Sequence, residues 1–583
     1  MATTRRLAKL VAYLRPHWKE ATLGIIALLA VNGLGVYIPL LIRSAVNKLS
    51  EDLTHQQLLH YVLLIILLTS AMWLIRMASR IWIFGVGRKV EFELKQRIFE
   101  HLLKLEPAYF TTHPIGNLIS RSTSDVDNIR RLLGFAVLTV ANTCFAYALT
   151  LPVMLSINVD LTLASLLIYP FMFLLVYSFG NRLRNQQLQL QESIADISQL
   201  IQEDISGISL IKIYAQEENE QRAFAQKNHN LLKANLKLTQ SNTTLFPLIG
   251  GLASISSLII IWLGGNRISS GSLAVGDFVT LLIYLERLIF PTALLGFTVT
   301  VYQRGEVSID RIESILDSQP KICNSSQPTS LLPSSVKGEI TAKNLSYTYP
   351  DSLSPALDNI NFTIYPGELV AIVGPIGSGK STLASSLPRL IDINPEQLFL
   401  DGVDITQISL SDLRGAIAYV PQDSFLFSTT VKNNICYGDP TKEQTEIEEV
   451  AQQSQIHSEI INFPQQYQSI VGEKGIALSG GQRQRTSLAR AMLMDAPVLI
   501  LDDSLSSIDN QNATSIIHNI VAKKRLRTVI FITHQLPVAA ACDRIFVIDK
   551  GNIVQMGTQM ELLKQPGLYK TLWDQHQIEK LLH

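Results

Sequence analysis

Long apolar stretches alternate with polar segments along the first three hundred residues of the chain. Six of these stretches lie at roughly 21–43, 59–84, 133–157, 160–180, 245–266 and 274–301. A helix needs about 20 apolar residues to cross about 30 Å of hydrocarbon, and each stretch is long enough. A single stretch of this kind is also typical of a buried core helix, but six in one half of a chain predict a membrane domain.

Basic residues indicate how this domain is oriented. Lysine and arginine are frequent before the first stretch, between the second and third, and between the fourth and fifth. Because cytosolic connections carry the excess of positive charge, both termini are predicted in the cytosol. The basic, acid-free residues 1–19 faintly resemble a transit peptide, but a helix at the membrane interface is favoured, since the segment runs directly into the first stretch.

The long cytosolic connections show the pattern of extended helices. Val90, Leu94, Ile98 and Leu102 repeat every four residues, which places them on one helix face. Turn-forming residues interrupt this connection at 107–117. Helices that continue past the membrane in this way can carry motion to a domain below it.

After residue 302 the hydropathy falls, and the segment 317–335, rich in Ser, Pro and Gln, is typical of a linker. From Gly338 onward, short apolar runs alternate with helical segments. The strand-like runs lie at 369–373, 498–501, 528–532 and 545–548. This alternation predicts an α/β fold with a largely parallel sheet.

A phosphate-binding loop follows the first of these strands. Its residues are Gly374, Pro375, Ile376, Gly377, Ser378, Gly379, Lys380 and Ser381, with Thr382 next in the helix that follows. Glycines let consecutive backbone N–H groups curl around an anion, and the helix N-terminus adds partial positive charge. Lys380 is expected to contact the β- and γ-phosphates and Ser381 to bind Mg²⁺.

The predicted architecture is therefore an all-α six-helix transmembrane domain fused to an α/β P-loop nucleotide-binding domain. The expected boundaries are 1–309 for the membrane domain, 310–337 for the linker and 338–583 for the nucleotide-binding domain. Further on, the apolar strand at 498–501 ends in Asp502 and Asp503. A carboxylate at the end of a buried strand, in a chain with a phosphate-binding loop, indicates a Walker B aspartate that acts on Mg²⁺.

At this point the sequence resembles the ATP-binding cassette (ABC) transporter family, in its exporter-type half-transporter form. A five-residue stretch about twenty residues before Walker B looks like the family signature: Leu478, Ser479, Gly480, Gly481 and Gln482. In matching order, Tyr349 resembles the aromatic residue that stacks on adenine, Gln422 the Q-loop glutamine and His534 the switch histidine. The stretches near 110–126 and 210–217 resemble the family's two intracellular loops.

The resemblance implies cofactors and a partner. ATP would be held by Tyr349, by the loop at 374–382 and by a signature, and Mg²⁺ by Ser381, Gln422 and Asp502; Asp503, His534 and Gln422 would be the catalytic residues. In this family each ATP lies between the phosphate loop of one cassette and the signature of the other. One cassette per chain therefore implies a dimer that exports its cargo by alternating access.

One residue departs from the family pattern. Asp503 stands where a glutamate usually serves as general base, and aspartate is one methylene shorter. Because a displacement of about 1 Å can cost about 100-fold in rate, this chain's own Walker site is expected to bind ATP and hydrolyse it slowly. Its intact signature would then complete a competent site on a different chain, as in heterodimeric bacterial multidrug exporters. The alternative is a homodimer in which Asp503 works adequately.

The amino-acid composition limits the classes of molecule that the chain is expected to bind. Lys and Arg number 49, as do Asp and Glu, which argues against nucleic-acid binding, and four scattered cysteines lack zinc-site spacing. The expected partners are a second half-transporter chain, membrane lipid and a small amphiphilic cargo, in a plasma (bacterial inner) membrane. A homodimeric lipid flippase stays an alternative, whereas six spans disfavour a non-transport ABC ATPase.

Ionisable residues inside the predicted spans are candidates for function. They include Arg76 and Arg80 in the second span and the adjacent Glu286 and Arg287 in the sixth. An ion pair within the membrane, or snorkelling of the charged groups to the interface, is favoured over contact with cargo.

Overall fold

The computed structural model describes residues 2–49, 54–331, 335–350, 352–522 and 527–582. The chain forms two compact units. One contains residues 1–103 and 114–318, and the other contains residues 104–113 and 319–583. Each is described by itself below.

The first unit is entirely helical. Its helices are α1 (Ala2–Leu14), α2 (Trp18–Leu49), α3 (His55–Leu102), α5 (Ile115–Ser120), α6 (Val126–Arg131), α7 (Val137–Ile157), α8 (Val159–Leu166), α9 (Tyr169–Ser206), α10 (Ile208–Ile213), α11 (Glu217–Ser269) and α12 (Val275–Leu316); α4 (Pro107–Thr112) belongs to the second unit. Short π-helical segments at Arg121–Asp125 and Leu132–Ala136 join α5, α6 and α7 into one continuous path.

Six helical segments in the described part of the chain are long and apolar enough to cross a membrane, as the hydrophobic pattern predicts. Several are longer than a bilayer requires. Helix α3 has 48 residues and α11 has 53, which at about 1.5 Å per residue exceeds the thickness of the hydrocarbon core about twofold. Helix α12 ends at Leu316, so the segment expected to be a linker, 310–337, shares its first seven residues with this helix.

The core of the first unit is formed along α12. Near one end, Tyr284, Leu285 and Leu288 are fully buried against residues of α7, α9 and α11. Further along the helix, Ile309 and Ile312 pack against the stripe of α3 that the sequence predicted, from Val90 to Ile98. The four-residue repeat is therefore a packed face and not a solvated coil.

The second unit contains two sheets. Its strands are β1 (Ile340–Tyr347), β2 (Leu357–Ile364), β3 (Leu369–Val373), β4 (Leu398–Leu400), β5 (Val403–Asp404), β6 (Ile417–Val420), β7 (Val498–Asp502), β8 (Thr528–Ile532), β9 (Arg544–Asp549) and β10 (Asn552–Gly557). Its remaining α-helices are α13 (Lys380–Ser386), α14 (Leu410–Ala416), α15 (Val431–Ile435), α16 (Gln444–Gln453), α17 (His457–Ile461), α18 (Gly480–Leu493), α19 (Asn510–Ala522), α20 (Leu536–Ala540), α21 (Gln559–Lys564) and α22 (Leu568–Leu582).

The larger sheet positions the candidate site. Its order is β10-β9-β3-β8-β7-β6, with parallel pairing everywhere except between β9 and β10. All four strand-like runs expected from the sequence are strands of this sheet, and β3, β7 and β8 are buried at every residue. Continuous burial is typical of parallel strands covered on both faces. The smaller sheet is antiparallel, in the order β2-β1-β4-β5.

The segment 104–113 also has a contact within the second unit. The Glu106 carboxylate accepts a hydrogen bond from the backbone N–H of Lys321, at 3.2 Å. Helix α4 follows directly, with Pro107 at its first position. The sequence placed this segment in the first intracellular loop, and the structure groups it with the nucleotide-binding unit.

Candidate functional site

The candidate site lies at the carboxyl edge of the larger sheet, where ligands of open α/β sheets usually bind. Because β3, β8, β7 and β6 are parallel neighbours, the residues that follow them meet there. Gly374 follows β3, Asp502 ends β7, Gln422 comes two residues after β6, and His534 two residues after β8. Four motifs that are far apart in sequence thus share one edge.

The loop after β3 depends on glycine. Gly377 and Gly379 have φ values of +80° and +101°, in the left-handed region that glycine adopts without strain. A Cβ at Gly379 would overlap the carbonyl oxygen of Ala356, and one at Gly374 would overlap that of Ile548. A Cβ at Gly377 would meet no atom within 4 Å. The loop is therefore packed tightly on the protein at Gly374 and Gly379 and is open at Gly377.

Lys380 begins α13 and is buried, with 6% of its surface exposed. Its Nζ donates hydrogen bonds to the carbonyl oxygens of Gly374 at 2.9 Å and Pro375 at 2.7 Å. Burial lowers the pKa of Lys380, while the charges of Asp502 and Asp503 raise it in part. The ammonium group is thus held inside the loop, in the position from which a phosphate-binding lysine acts.

Asp502 is a buried carboxylate with two hydroxyl partners. The Ser381 Oγ donates to its Oδ1 at 3.2 Å, and the Tyr419 hydroxyl donates to its Oδ2 at 3.2 Å. Burial raises the pKa of Asp502, and the charge of Asp503 adds to this effect; the two hydroxyl donors and Lys380 lower it. The structure therefore brings together Ser381 and Asp502, two of the three groups expected at the metal.

Asp503 directly follows and turns the chain. Its φ is +46°, and its backbone N–H donates to the carbonyl oxygen of Ile532 at 2.7 Å, which ties it to the end of β8. Its own carbonyl oxygen accepts the Ser506 hydroxyl at 2.8 Å. The backbone at this position is thus fixed by neighbours on both sides, so the reach of the side chain depends on its length.

His534 and Gln422 are both exposed at the same edge. Burial of part of the ring lowers the pKa of His534, and the charge of Lys380 lowers it further, while Asp503 and Asp502 oppose the shift. These interactions place His534 in the same electrostatic environment as the loop lysine and the acidic pair. An imidazole at this position has a ring N–H with which to donate a hydrogen bond.

Tyr349 lies beside the start of α13. Its hydroxyl is 3.1 Å from the Thr382 Oγ1, and its ring packs edge-on against Tyr347 with the centroids 5.0 Å apart. The ring is about 43% exposed, so one face is free to stack on a planar group. The structure thus places Tyr349, which resembles the family's adenine-stacking residue, beside Thr382 at the start of α13.

The signature residues form the capped start of α18. The Ser479 Oγ accepts the Gln482 N–H, and the Gln482 Oε1 accepts the Ser479 N–H at 2.8 Å, a complete capping box. Glu459 anchors the Gln482 side chain at 2.7 Å. Leu478 is buried, whereas Ser479 is exposed. The amide end of this helix therefore faces outward and is available to an anion.

A residue that sequence reasoning left without a role, Gln484, connects the signature helix to the segment after Asp503. The Gln484 Oε1 accepts the Ser507 N–H at 2.9 Å, and its Nε2 donates to the Ser506 Oγ at 3.2 Å. Gly481 is equally constrained, since a Cβ there would lie 2.8 Å from the Ser507 carbonyl oxygen. The outward-facing signature and the acidic pair are thus joined by one short set of contacts.

Tyr419 was also missed, although it lies three residues before Gln422 at the end of a strand. Its only sequence signal is a polar tip on an apolar strand next to the Walker B strand, which does not reveal a contact with Asp502. Arg490 is a third case. Its guanidinium donates to the carbonyl oxygens of Asn434 and Phe425, and thereby holds the segment after Gln422 against α18.

The donor set fits Mg²⁺. Hydroxyl and carboxylate oxygens are the ligands this ion prefers, and it commonly takes one or two from the protein and the rest from water and substrate phosphates. Asp502 is 2% exposed, and its Oδ1 lies 3.2 Å from the Ser381 Oγ. Within the described residues no group of three or more His, Cys, Asp or Glu could hold a metal, and a site of this type does not require one.

A bundle of membrane-spanning helices joined to a domain with this loop, acidic strand end and capped helix defines an ATP-driven membrane transporter. Residues 21–292 match the family described as the ABC transporter transmembrane region, and residues 357–506 match the family described as ABC transporter.

Relatives cover the whole architecture. The chain is 32% identical over 574 residues, 98% of each chain, to a Bacillus subtilis protein, YheI, described as a probable multidrug resistance ABC transporter ATP-binding/permease protein. It is 32% identical over 581 residues to the multidrug resistance-like ATP-binding protein MdlA of Escherichia coli, covering 99% of this chain and 98% of MdlA. The structure of a bacterial Atm1-family ABC exporter with ATP bound aligns with a TM-score of 0.78 at 25% identity, over 97% of this chain and 99% of that one.

The chain belongs to the ABC transporter family, as an exporter-type half-transporter. It is an integral membrane protein with a cytosolic ATPase domain that binds ATP and couples its hydrolysis to transport. The expected fold class is confirmed. The roles of individual site residues stay predictions.

Alanine substitutions at the loop glycines are expected to weaken ATP binding in a graded way. At Gly377 the only penalty is the left-handed backbone, which corresponds to roughly 5–30-fold in affinity. At Gly379 overlap with Ala356 is added, so the loss exceeds that of Gly377→Ala. Equilibrium binding of a fluorescent ATP analogue to the full chain measures both.

The matched control is Gly415→Ala. Gly415 lies inside α14, its φ is ordinary and a Cβ there would meet no atom within 4 Å, so ATP affinity stays unchanged. Equal affinities for Gly377→Ala and Gly379→Ala would show that packing against Ala356 does not shape the loop.

Replacing Gln484 with leucine removes the side-chain contact between the signature helix and the segment after Asp503. The substitution leaves the Ser507 N–H without its acceptor, a cost of about 1–3 kcal/mol, and does not touch the phosphate loop. ATP affinity is expected to change less than about twofold, while steady-state ATPase turnover of the assembled transporter falls about tenfold.

Gln444→Leu serves as the control for Gln484→Leu, because Gln444 is a glutamine whose one side-chain partner in the described structure is Glu448 on its own helix. Gln444→Leu is expected to change neither the ATP affinity nor the ATPase turnover. A parallel loss of ATP affinity in Gln484→Leu would mean that the contact to Ser507 supports the phosphate loop and not the signature end.

Proposed function

We propose that this chain is the hydrolytically weak half of a heterodimeric exporter of amphiphilic compounds. The single observation that carries the proposal is Asp503, the residue after the Walker B aspartate, on a backbone fixed at both sides. Similarity to proteins described as multidrug ABC transporters supports export of amphiphiles as the cargo class.

In this proposal the chain's own residues hold ATP on one side. The backbone amides of 374–379 surround the phosphates, Lys380 neutralises the β- and γ-phosphates, and Tyr349 stacks on the adenine. Ser381, Asp502 and Gln422 hold Mg²⁺, which supplies positive charge at the phosphates when bound. The partner's signature closes the open side of the nucleotide.

Hydrolysis requires a base that removes a proton from the attacking water while the β–γ phosphoanhydride bond breaks to give ADP and phosphate. Asp503 carries the carboxylate on a side chain shorter by one methylene than glutamate. The backbone does not shift to compensate for the shorter side chain, because the N–H and carbonyl groups of Asp503 are hydrogen-bonded to Ile532 and Ser506. His534 donates a hydrogen bond to the γ-phosphate. The site binds ATP tightly and turns it over slowly.

The second site is competent in this arrangement. The intact start of α18, with Ser479 exposed and Gly480 and Gly481 free of side chains, completes the site of a partner chain that carries glutamate after its own Walker B aspartate. Closure of both sites moves the cassettes together, and the stretches near 110–126 and 210–217, which resemble the family's two intracellular loops, transmit this motion to the spans. The domain boundaries proposed for this machine are 1–309, 310–337 and 338–583.

Asp503→Glu tests the weak site. Without its partner, the purified chain is assayed at protein concentrations high enough for two copies to pair, so that each ATP meets a signature. The unmodified chain is then expected to hydrolyse ATP slowly, and Asp503→Glu to raise its turnover by about 10–100-fold, since a positioned base contributes at least 10²-fold when well placed. ATP affinity, measured in parallel, stays the same. Asp503→Asn is the isosteric control and stays at or below the unmodified rate. Robust turnover by the unmodified chain alone, with no gain from Asp503→Glu, contradicts the proposal.

The partner is identified by affinity purification. Two copies of the chain that carry different tags are expressed together in the native organism. The complex is solubilised in detergent, purified through the first tag and analysed by mass spectrometry. The proposal expects a second half-transporter with glutamate after Walker B and no recovery of the second tag. Substantial recovery of the second tag with no other half-transporter would indicate a homodimer, the arrangement of the lipid flippase alternative.

A further inference from the structure

A cavity of about 290 Å³ lies inside the first unit, between α2, α3, α7 and α12. Three arginines line it: Arg76 and Arg80 from α3 and Arg287 from α12. We call it the arginine cavity. All three side chains belong to the stretches expected to span the membrane, where ionised groups are expensive and therefore indicate function.

The charge of the arginine cavity is of one sign. Within the described residues its lining contains no Asp or Glu, and its other polar members are the uncharged Asn32, Asn142 and Thr139. A guanidinium keeps its proton under all ordinary conditions, so the positive charge is permanent. Arg76 and Arg80 are four residues apart on one helix face and repel each other. An anion in the cavity would relieve this repulsion.

Carboxylates on the same helices are engaged elsewhere. Asp277 of α12 forms an ion pair with Arg43, and Glu20 of α2 accepts Lys89 at 2.5 Å. Glu286 precedes Arg287 in sequence, but its side chain is exposed and does not line the cavity. The possibilities favoured from the sequence are an ion pair or snorkelling to the interface, and among the described residues no ion pair joins Glu286 to Arg287. Consecutive helical residues point about 100° apart, which separates the two groups.

Arg287 is instead oriented by neutral groups. Its Nη2 donates to the backbone and side-chain oxygens of Asn32, both at 3.2 Å, and Asn32 is held by Asn142 at 3.1 Å. Gly35 makes room for the head group, since a Cβ there would overlap the guanidinium. Among the described residues no acidic side chain is paired with the guanidinium, which leaves its charge for a ligand.

The rest of the lining is apolar. Leu28, Val31, Met72 and Phe290 contribute hydrocarbon surface, and Arg76 and Arg80 are exposed, so the cavity is open along α3. A cavity of this size holds a small polar head and a few carbons, and a longer tail can leave through the open side. A cationic amphiphile would meet three fixed positive charges in a medium that screens them poorly.

We propose that the arginine cavity binds the anionic head of an amphiphilic cargo, with a phosphate or carboxylate group between Arg76, Arg80 and Arg287. The inference rests on the proposed export of amphiphiles and names the charge of the cargo. It depends on neither the weak ATP site nor the identity of the partner chain.

The test uses photoactivatable amphiphiles and the full chain in phosphatidylcholine nanodiscs, without nucleotide. Tetradecyl phosphate, tetradecanoate and tetradecyltrimethylammonium carry the same diazirine in the alkyl chain, and labelled peptides are mapped by mass spectrometry. The anionic probes are expected to label peptides of α2, α3 and α12 saturably, and the cationic probe is not. Tetradecyl phosphate labelling without tetradecanoate labelling would restrict the head to phosphate, within the proposal.

Single substitutions then test which arginines bind the anionic head. Arg76→Gln and Arg287→Gln are each expected to raise the half-saturating concentration of the anionic probe about tenfold, the effect of losing one charge-assisted hydrogen bond. Gly35→Ala keeps the charge and displaces Arg287, and is expected to have a similar effect. Arg88→Gln is the matched control, because it removes an arginine of the same helix that pairs with Glu91 outside the cavity.

Two results would overturn the inference. One is saturable labelling of the same peptides by the cationic probe at similar concentrations. The other is an unchanged anionic half-saturation in Arg76→Gln and Arg80→Gln, whose exposed side chains can be replaced without disturbing a packed core. Unchanged ATP affinity and elution volume show that each variant is folded. Failure here leaves the result for Asp503→Glu untouched, so the two proposals are separable.

Discussion

A buried ammonium group and a buried carboxylate at one sheet edge are the constraint on which the nucleotide unit depends. Lys380 is not paired directly with Asp502; it is bonded to carbonyls of its own loop, and Asp502 is bonded to Ser381 and Tyr419. Burial moves both pKa values toward the neutral forms. Such an arrangement is costly without a ligand and favourable with a polyphosphate and a metal, because the groups are already desolvated and oriented. The parallel strands hold the Lys380 ammonium group and the Asp502 carboxylate at this edge.

Local motifs could be predicted from the sequence, and contacts between distant residues could not. The phosphate loop, the strands of the larger sheet and the capped helix at Ser479 are encoded in consecutive residues, and the structure contains each of them. The contact of Tyr419 with Asp502 depends on the register of two strands 83 positions apart. Gln484 and Ser507 meet only once α18 packs on the turn after β7. In the membrane unit, adjacency in sequence suggested a partner for Arg287, and helix geometry gave it Asn32 instead.

The contacts of Gln484 have a consequence for how two ATP sites communicate. The chain from Asp503 to Ser507 is only five residues long, and it is bonded to β8 at one end and to the signature helix at the other. In the proposed dimer the first end would serve this chain's nucleotide and the second end the partner's. A change of position at one site is therefore transmitted to the other through a short, hydrogen-bonded path. In the proposed heterodimer, a weak site would act as a stable clamp, because its bound ATP would hold the segment in place while the other site turns over.

The arginine cavity changes the energetics expected of transport. Moving one negative charge out of a cytosol held at about −100 mV is favourable by about 2.3 kcal/mol, so the membrane potential assists export of an anion. The step that then needs ATP is release, since three guanidiniums in a poorly screened cavity bind an anion tightly. The three charges come from two helices, since Arg287 projects from α12, where it is bonded to Asn32 and fits beside Gly35, and Arg76 and Arg80 project from α3. Separation of these helices in the outward-facing state would spread the three charges and weaken the site without altering any residue. ATP binding, by driving that separation, would supply the free energy for release of the anion and not for its movement across the membrane.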